Sequence, residues 1–350
     1  MSVTFERVSR LAGAAWPRLT WTLTRVAAAI ALLYFALSRA GNLSALKQLV
    51  SKPWMLAVLI LPALGGAAVE ALRMRVLFRS QNLNVPFLYG YQVSAVASFF
   101  SCCLPGGTSG DVMKLYYLSA KTKGRRVEIA TVLLTDRLLA MFVLLGVVIS
   151  LALADGSLIA KSKVILSLVT TAGAIMAGLA VLALVSRSRR VRATRIYTAV
   201  LKWIPFHRYA ERVSDALLAF RHHNGALLKA AGFALAGHTL LAGMFAAVGS
   251  VVLPQAPAAT VVTLSLMGMF GNALPITPGG LGVGESVFQG LFGLAGYAGG
   301  ASLVLAWRIG MYFLCGVGCL FYIAGPRGES SAISQPISVA PDFTIGKASQ

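Results

Sequence analysis

Long apolar runs, separated by short polar or basic segments, follow one another along most of the chain. Six of them are long enough to cross a hydrocarbon core of about 30 Å, and they lie near residues 22–39, 55–78, 127–153, 164–186, 230–252 and 301–324. Shorter apolar runs lie at 88–104, 258–274 and 286–298. This pattern predicts an all-α polytopic membrane protein with about six full transmembrane helices.

Proline and glycine interrupt the apolar sequence twice, in FSCCLPGGTSGD at residues 100–111 and in FGNALPITPGGLGVGE at residues 270–285. Hydrocarbon cannot satisfy the backbone groups that Pro and Gly leave free, so such breaks persist in a bilayer only where they line a cavity or pack against protein. We therefore predict two re-entrant, broken-helix hairpins. The residues that we assign to their loops are Pro105, Gly106, Gly107, Gly110, Pro275, Pro278, Gly279, Gly280 and Gly282.

Composition agrees with a membrane protein, because 57% of the residues are apolar, only 12% are charged and the mean hydropathy is +0.76. These values lie far from those of a soluble domain. The cysteines lack the spacing and the histidine partners of a zinc site, so we expect neither a metal nor a cofactor. Nucleotide and diphosphate motifs are also missing, and we expect the chain not to be an enzyme.

Lysine and arginine are distributed unevenly, although the formal net charge of +20 could by itself suggest a nucleic-acid partner. They crowd the N-terminus and residues 73–79, 114–126 and 187–229, whereas 39–54 and 155–163 hold few and 253–300 hold none. The positive-inside rule places the crowded segments in the cytoplasm. We expect a multi-pass protein of the bacterial cytoplasmic (inner) membrane with both termini in the cytoplasm, and no nucleic-acid partner.

The two breaks share a local pattern that suggests a common origin. F-x-x-x-L-P occurs at Phe100 to Pro105 and again at Phe270 to Pro275, and Pro-Gly-Gly and an acid follow in each case. Basic sequence flanks the first break on both sides, whereas the second break lies in sequence without bases. We interpret this as an inverted repeat, in which secondary transporters place broken helices around a substrate site near the midplane.

Ionisable residues within apolar sequence are costly unless they are paired or hydrated, so each is a candidate functional residue. Asp111 and Lys114 are three residues apart, so on a helix that restarts after the first break they share one face. We expect them to flank the mouth of a cavity. Asp136 and Arg137 lie about two to three turns inside their span, too deep for a pair at the surface.

Two further groups of charges need partners. Arg308 has no acid within one turn, so its partner must come from another element, and Glu285 and Asp136 are the obvious choices. Glu70 lies three residues before Arg73, near the cytoplasmic end of its span, where long side chains can reach the interface. There we expect a local Glu70–Arg73 pair without a functional role.

The motifs occur in a fixed order, LPGGTSGDVMKLYYLS, then a span with TDRLLAMF, then LPITPGGLGVGE. This set resembles the lysylphosphatidylglycerol synthase transmembrane-region family of flippase-like integral membrane proteins, and it covers most of residues 20–325. Elements of that family match Gly110, Asp111 and Lys114, then Asp136, Arg137 and Ala140, then Thr277 to Glu285. Lys114 stands where arginine is usual, which keeps the charge but loses the bidentate fork for phosphate, and Ala140 replaces a common glycine.

The resemblance implies a translocase that moves a lipid between leaflets. A phospholipid, a polyprenyl-phosphate lipid or a hopanoid lipid are candidate substrates, and enzymes of lipid biosynthesis are possible partners. The headgroup would lie in a polar slot between the two re-entrant hairpins. There Lys114, Arg137 and Arg308 would meet its phosphate, and the glycines would let backbone N–H groups approach it. Asp111, Asp136 and Glu285 would hold these bases or a cationic part of the headgroup, while the tails stay in the bilayer.

Two other functions remain open. Gly107 to Gly110 read G-x-S-G, as in intramembrane serine proteases, and His238 lies in a later span, so a Ser109–His238 dyad or a lipid-modifying subunit can be imagined. A scaffold of a lipid (hopanoid or glycolipid) biosynthesis complex would need no transport at all.

The domain organisation is simple. We expect one integral membrane domain over residues 1–325, with a cytoplasmic basic amphipathic segment at 187–229 within it, and a disordered cytoplasmic tail at 326–350.

Cysteine labelling tests the predicted topology. A cysteine introduced near Ser119 should react with a membrane-impermeant reagent only from the cytoplasmic side, and one near Gly299 only from the outside, because the two hairpins enter from opposite faces. Labelling of both positions from one side contradicts the inverted repeat.

Overall fold

The computed structural model describes residues 52–103, 109–122, 125–186, 207–272, 280 and 282–325, and every regular element in these ranges is a helix. The helices are α1 (Pro53–Ser80), α2 (Phe87–Cys103), α3 (Ser109–Lys121), α4 (Arg126–Ala154), α5 (Gly156–Lys161), α6 (Lys163–Ser186), α7 (His207–Ala219), α8 (Asn224–Val252), α9 (Ala258–Asn272), α10 (Val283–Leu294) and α11 (Gly300–Ala324).

Five of these helices, α1, α4, α6, α8 and α11, are long and apolar enough to cross a membrane. They correspond to five of the six predicted spans. The first predicted span, 22–39, lies outside the described residues, as do the tail at 326–350 and residues 187–206 of the basic segment. The fold is therefore that of a multi-pass, all-helical membrane protein.

The long helices pack closely where the sequence supplies glycine. α1 and α8 run antiparallel, because Gly65 faces Leu240 and Gly237 faces Val69. α11 runs parallel to α1, since Gly310 faces Leu59 and Leu314 packs against Ala67. A Cβ atom on Gly310 would run into the carbonyl oxygen of Leu59, so only glycine permits this approach of the two backbones.

α2 and α3 form an antiparallel hairpin around the first break. Tyr89, near the start of α2, donates a hydrogen bond of 2.6 Å to the carbonyl of Tyr117, near the end of α3. At the other end of the pair, Ser109 donates to the carbonyl of Phe100 at 3.1 Å. The open ends of this hairpin lie together, and its tip is at the break.

α9 and α10 form a second antiparallel hairpin around the second break. Gly268 packs against the ring of Phe288, and Gly271 packs against Val287. Asn272, the last residue of α9, lies against Gly284 near the start of α10. The chain again reverses direction between Asn272 and Val283.

The two hairpins enter the bundle from opposite ends. The first begins and ends at the Ser80 end of α1, which also holds Arg79, Lys121 and Arg125 and which we call the basic end. Because α8 is antiparallel to α1 and α11 is parallel to it, the open ends of the second hairpin lie at the Pro53 end. The hairpins therefore point towards each other.

The segment after α6 contains the short amphipathic helix α7. Val213, Ala216 and Phe220 are buried, whereas Glu211 and Arg212 are exposed. The apolar side of α7 packs against α4 and α6. This agrees with the predicted amphipathic character of the basic segment over its described part.

Gly318 offers a direct test of the packing of α11 against α2. We expect Gly318→Val to lower the free energy of unfolding by about 1–3 kcal/mol, the usual cost of over-packing, because a Cβ atom there would overlap the carbonyl oxygen of Ala95. Gly316→Val is the control, since its Cβ atom would meet nothing within 4 Å. Equal shifts of the melting temperature in detergent would contradict the packing.

Candidate functional site

A polar cavity of about 290 Å³ opens beside the tip of the first hairpin. It lies between α1, α2, α3, α4 and α11, and we call it the polar cavity. Its lining residues are Glu70, Arg73, Ala97, Ser98, Ser101, Gly110, Asp111, Lys114, Leu133, Asp136, Arg137, Ala140 and Met311. Three acids and three bases thus surround one space among apolar helices, and their formal charges sum to zero.

The best-buried ion pair of the cavity joins α1 to α4. Arg73 Nε lies 2.6 Å from Asp136 Oδ1, and Arg73 Nη2 lies 2.8 Å from Asp136 Oδ2. Both side chains are buried. This bidentate geometry is the strong, orientation-specific form of an arginine–carboxylate contact, so it fixes one helix against the other.

The other two pairs join α3 to its neighbours. Lys114 donates a hydrogen bond to Glu70 of α1. Arg137 Nε of α4 lies 2.6 Å from Asp111 Oδ2, with 52% of the Arg137 side chain and 29% of the Asp111 side chain exposed. This exposure places the Asp111–Arg137 pair at the open side of the cavity and the Arg73–Asp136 pair at its closed side.

Local sequence explains how α3 reaches this position. Gly110 lies against α2 so closely that a Cβ atom would overlap Ser101 Oγ and would come within 2.6 Å of the Ala97 carbonyl oxygen. Asp111 lies in the first turn of α3, where the helix dipole favours a negative charge. Lys114 follows one turn later, so both side chains project to the side of the helix that faces α1 and α4.

Arg308 ties the second hairpin together at its tip. Its Nε atom lies 2.8 Å from Glu285 Oε1, and its Nη2 atom donates to the carbonyl of Gly280 at 2.8 Å and to Asn272 Oδ1 at 3.3 Å. The guanidinium therefore binds both helices of the hairpin and the loop between them. Only 3% of the Arg308 side chain is exposed.

Glu285 and two glycines complete the tip. Glu285 accepts a hydrogen bond of 2.7 Å from the backbone N–H of Gly282, which satisfies a donor at the start of α10. Gly280 and Gly282 have φ angles of 69° and 81°, a region that favours glycine. The glycines of the second motif thus shape the turn that Arg308 and Glu285 hold.

The predicted site residues divide into two groups. Asp111, Lys114, Asp136 and Arg137 line the polar cavity together, and Gly110 lies at its wall. Glu285, Arg308, Gly280 and Gly282 form the tip of the second hairpin instead. The remaining loop residues, Pro105, Gly106, Gly107, Pro275, Pro278 and Gly279, lie outside the described part of the chain.

The pairing predictions had mixed outcomes. The prediction that Arg308 finds its partner in another element is confirmed, and of the two candidate acids it is Glu285 that pairs with it, whereas Asp136 pairs with Arg73. The predicted local Glu70–Arg73 pair is wrong, because each residue pairs with a different helix, Lys114 of α3 and Asp136 of α4. Both residues line the polar cavity, and spacing within α1 could not reveal partners that only the tertiary fold brings near.

Ser109 and His238 do not form a hydrogen-bonded dyad. Ser109 Oγ donates to the Phe100 carbonyl, and His238 Nε2 lies 3.0 Å from the Ala140 carbonyl oxygen. Serine activation requires a direct bond from the hydroxyl to the base, and each side chain bonds to a different backbone group here.

Comparison with known proteins identifies the class of this fold. A family model with the description "Lysylphosphatidylglycerol synthase TM region" matches residues 22–318. The matched range contains both hairpins and every lining residue of the polar cavity. No curated protein and no solved structure matches the chain.

The Arg73–Asp136 pair makes a testable contribution to stability. Arg73→Leu should lower the free energy of unfolding by about 3–5 kcal/mol, because it leaves a buried carboxylate without its cation. The double variant Arg73→Leu with Asp136→Leu should recover most of that loss, since two apolar side chains replace a buried pair at little cost. Chemical denaturation in detergent measures both, and a double variant no more stable than the single one contradicts the coupling.

Proposed function

The chain belongs to the lysylphosphatidylglycerol synthase TM region family, and on that premise we propose that it moves a lipid with a phosphate-containing headgroup between the leaflets of the bacterial cytoplasmic membrane. The family match and the apolar helices support a membrane protein with a lipid-related function. The translocation and the role of the polar cavity are our proposal.

The polar cavity is the observation that carries this proposal. Ionised side chains at membrane depth are expensive and mark substrate pathways by default, and six of them line this one space: Glu70, Arg73, Asp111, Lys114, Asp136 and Arg137. Well-packed apolar residues would stabilise the same helices at least as well as buried ion pairs do. Stability alone therefore gives no reason for this arrangement.

The headgroup phosphate would bind by replacing the carboxylates that now pair with the bases of the cavity. Lys114 and Arg137 already donate to carboxylates, so a phosphate replaces one anion by another and leaves each base satisfied. Glu70 and Asp111, once released, can accept hydrogen bonds from hydroxyl or ammonium groups of the headgroup. The Asp111–Arg137 pair is the more exposed one, so the headgroup would meet it first.

We also propose that the two hairpins are re-entrant. Their helices have 17, 13, 15 and 12 residues, and at about 1.5 Å per residue each is shorter than a hydrocarbon core of about 30 Å. Each hairpin returns to the end of the bundle from which it entered. Its tip, which carries the Pro-Gly backbone, would then lie inside the membrane against protein, as hydrocarbon requires.

Matching ion pairs support an inverted repeat. Asp111 is the third residue of α3 and pairs with Arg137 of the next helix. Glu285 is the third residue of α10 and pairs with Arg308 of the next helix. In both halves, the acid after the break is thus held by an arginine of the following long helix. In this proposal Arg308 and Glu285 keep the second tip in shape opposite the headgroup site.

The basic end of the bundle would face the cytoplasm, following the positive-inside rule. Membrane lipids are the proposed ligands, with phospholipids, polyprenyl-phosphate lipids and hopanoid lipids as the candidate classes. Enzymes of lipid biosynthesis could deliver or receive the lipid. The chain itself would break no covalent bond, which distinguishes it from a lipid-modifying subunit.

Reconstitution into liposomes tests the proposal. Fluorescent derivatives of the candidate lipids are placed in one leaflet, and a membrane-impermeant quencher reports how fast they reach the other. We expect the wild-type protein to accelerate this exchange for at least one lipid class. The double variant Glu70→Gln with Lys114→Gln should reduce the rate by about 10- to 100-fold, because it removes a charge-assisted contact worth about 1.5–3 kcal/mol.

Arg125→Gln with Glu128→Gln is the matched control, because it neutralises an exposed ion pair of the same net charge. It should translocate like the wild type. If the wild type moves no phospholipid, polyprenyl-phosphate lipid or hopanoid lipid, the proposal fails and a scaffold becomes the better explanation. An equal loss of exchange rate in both double variants would show that the polar cavity has no specific role in translocation.

A further inference from the structure

A second cavity, of about 210 Å³, lies beside the polar cavity among α1, α8 and α11. We call it the apolar cavity. Most of its wall is aliphatic or aromatic, from Leu59, Leu241, Met244, Trp307 and Leu314, together with small residues of α1. A wall of this composition is suited to apolar ligands.

The local sequence of α1 explains why this space exists. The segment 62–68, PALGGAA, places a proline inside the helix, and all but one of the next six residues are Gly or Ala. Proline removes one backbone hydrogen bond and bends the helix. Gly66 lines the cavity, and a Cβ atom built on it would meet nothing within 4 Å, so its missing side chain contributes directly to the space.

The apolar cavity continues into the polar cavity. Glu70, Ser98 and Met311 line both spaces. Along α1 the wall of the apolar cavity extends from Glu70 back to Leu59, which corresponds to about 16 Å of helix axis. The charged part therefore lies nearer the basic end, and the apolar part leads away from it.

The charged cavity lies nearer the basic end and the apolar cavity lies farther from it. This order matches the headgroup and the hydrocarbon of a lipid in the leaflet at the basic end. A headgroup in the polar cavity would direct its hydrocarbon towards the membrane centre, along the wall that Gly66 and Leu59 form. An empty apolar space of this size weakens the packing of three helices, and an apolar chain would fill it.

From the continuity of the two spaces, we propose that the apolar cavity binds one hydrocarbon chain of the lipid whose headgroup occupies the polar cavity. This inference rests on the proposed function and departs from the expectation that all tails stay in the bilayer. One chain would enter between α1, α8 and α11, while any second chain stays in the membrane. The protein would thus select lipids by chain as well as by headgroup.

Photolabelling in nanodiscs tests chain binding without a transport assay. The probe is a phosphatidylglycerol that carries a diazirine in the middle of one acyl chain, and mass spectrometry locates the labelled residues. In the wild type we expect label on the lining residues of α1 and α8, namely Leu59, Ala63, Leu241 and Met244. Label confined to exposed positions such as Leu61 and Leu184 would overturn the proposal.

Gly66→Leu and Gly232→Leu form a matched pair of variants. Neither new Cβ atom meets anything within 4 Å, but Gly66 lines the apolar cavity and Gly232 is exposed on α8. Gly66→Leu should lose the cavity label, whereas Gly232→Leu should keep it. Unchanged labelling in Gly66→Leu would overturn the proposal, and the wild-type map stands as a test even if this variant fails to fold.

The outcomes separate this inference from the proposed function. If the cavity is labelled but no lipid class is translocated, chain binding stands and the translocase proposal fails. If lipids are translocated and Gly66→Leu changes neither their rate nor the label, the translocase proposal stands and the chain site is wrong.

Discussion

A charge that lies among apolar helices must find its partner inside the protein, and this requirement organises the first half of the structure. α1, α3 and α4 each contribute two charged side chains, and together these form three ion pairs, Arg73–Asp136, Lys114–Glu70 and Arg137–Asp111. None of these three pairs lies within one helix. Because each pair crosses between helices, the charges fix how the hairpin lies against the bundle, and the space between them becomes the polar cavity.

The two hairpins meet the same requirement in different ways. At the second tip, one guanidinium binds a carboxylate, an amide oxygen and a backbone carbonyl, and it is almost fully buried. At the first tip, the corresponding arginine, Arg137, is half exposed beside a cavity. The long helix that precedes each hairpin accounts for this difference in exposure. α1 adds the charges of Glu70 and Arg73 near the first tip, whereas the part of α8 near the second tip is largely apolar. Among the described residues, Arg308 is thus enclosed by its own contacts, whereas Arg137 borders the polar cavity.

Sequence reasoning found what is local and missed what depends on packing. Apolar length predicted the spans of α1, α4, α6, α8 and α11, since burying a helix in lipid is a property of one segment. The isolation of Arg308 limited its partner to Glu285 or Asp136, because few acids were available, and the fold selects Glu285. Glu70 and Arg73 lie three residues apart on one helix, so the sequence suggested that they pair with each other. Only the packing of α3 and α4 against α1 gives them different partners. The apolar cavity was missed for the same reason, because the small residues after Pro62 leave a space only when α8 and α11 pack around them.

The neutrality of the polar cavity has an electrical consequence. A charge that crosses a membrane gains or loses about 2.3 kcal/mol per 100 mV. The three acids and three bases of the cavity sum to zero, so a movement that carries them together does almost no work against the membrane potential. In the proposed translocation, the voltage would then act on the lipid alone. An anionic lipid would be driven towards the positive side and a zwitterionic one would not, and the protein need not change for the direction of transport to differ.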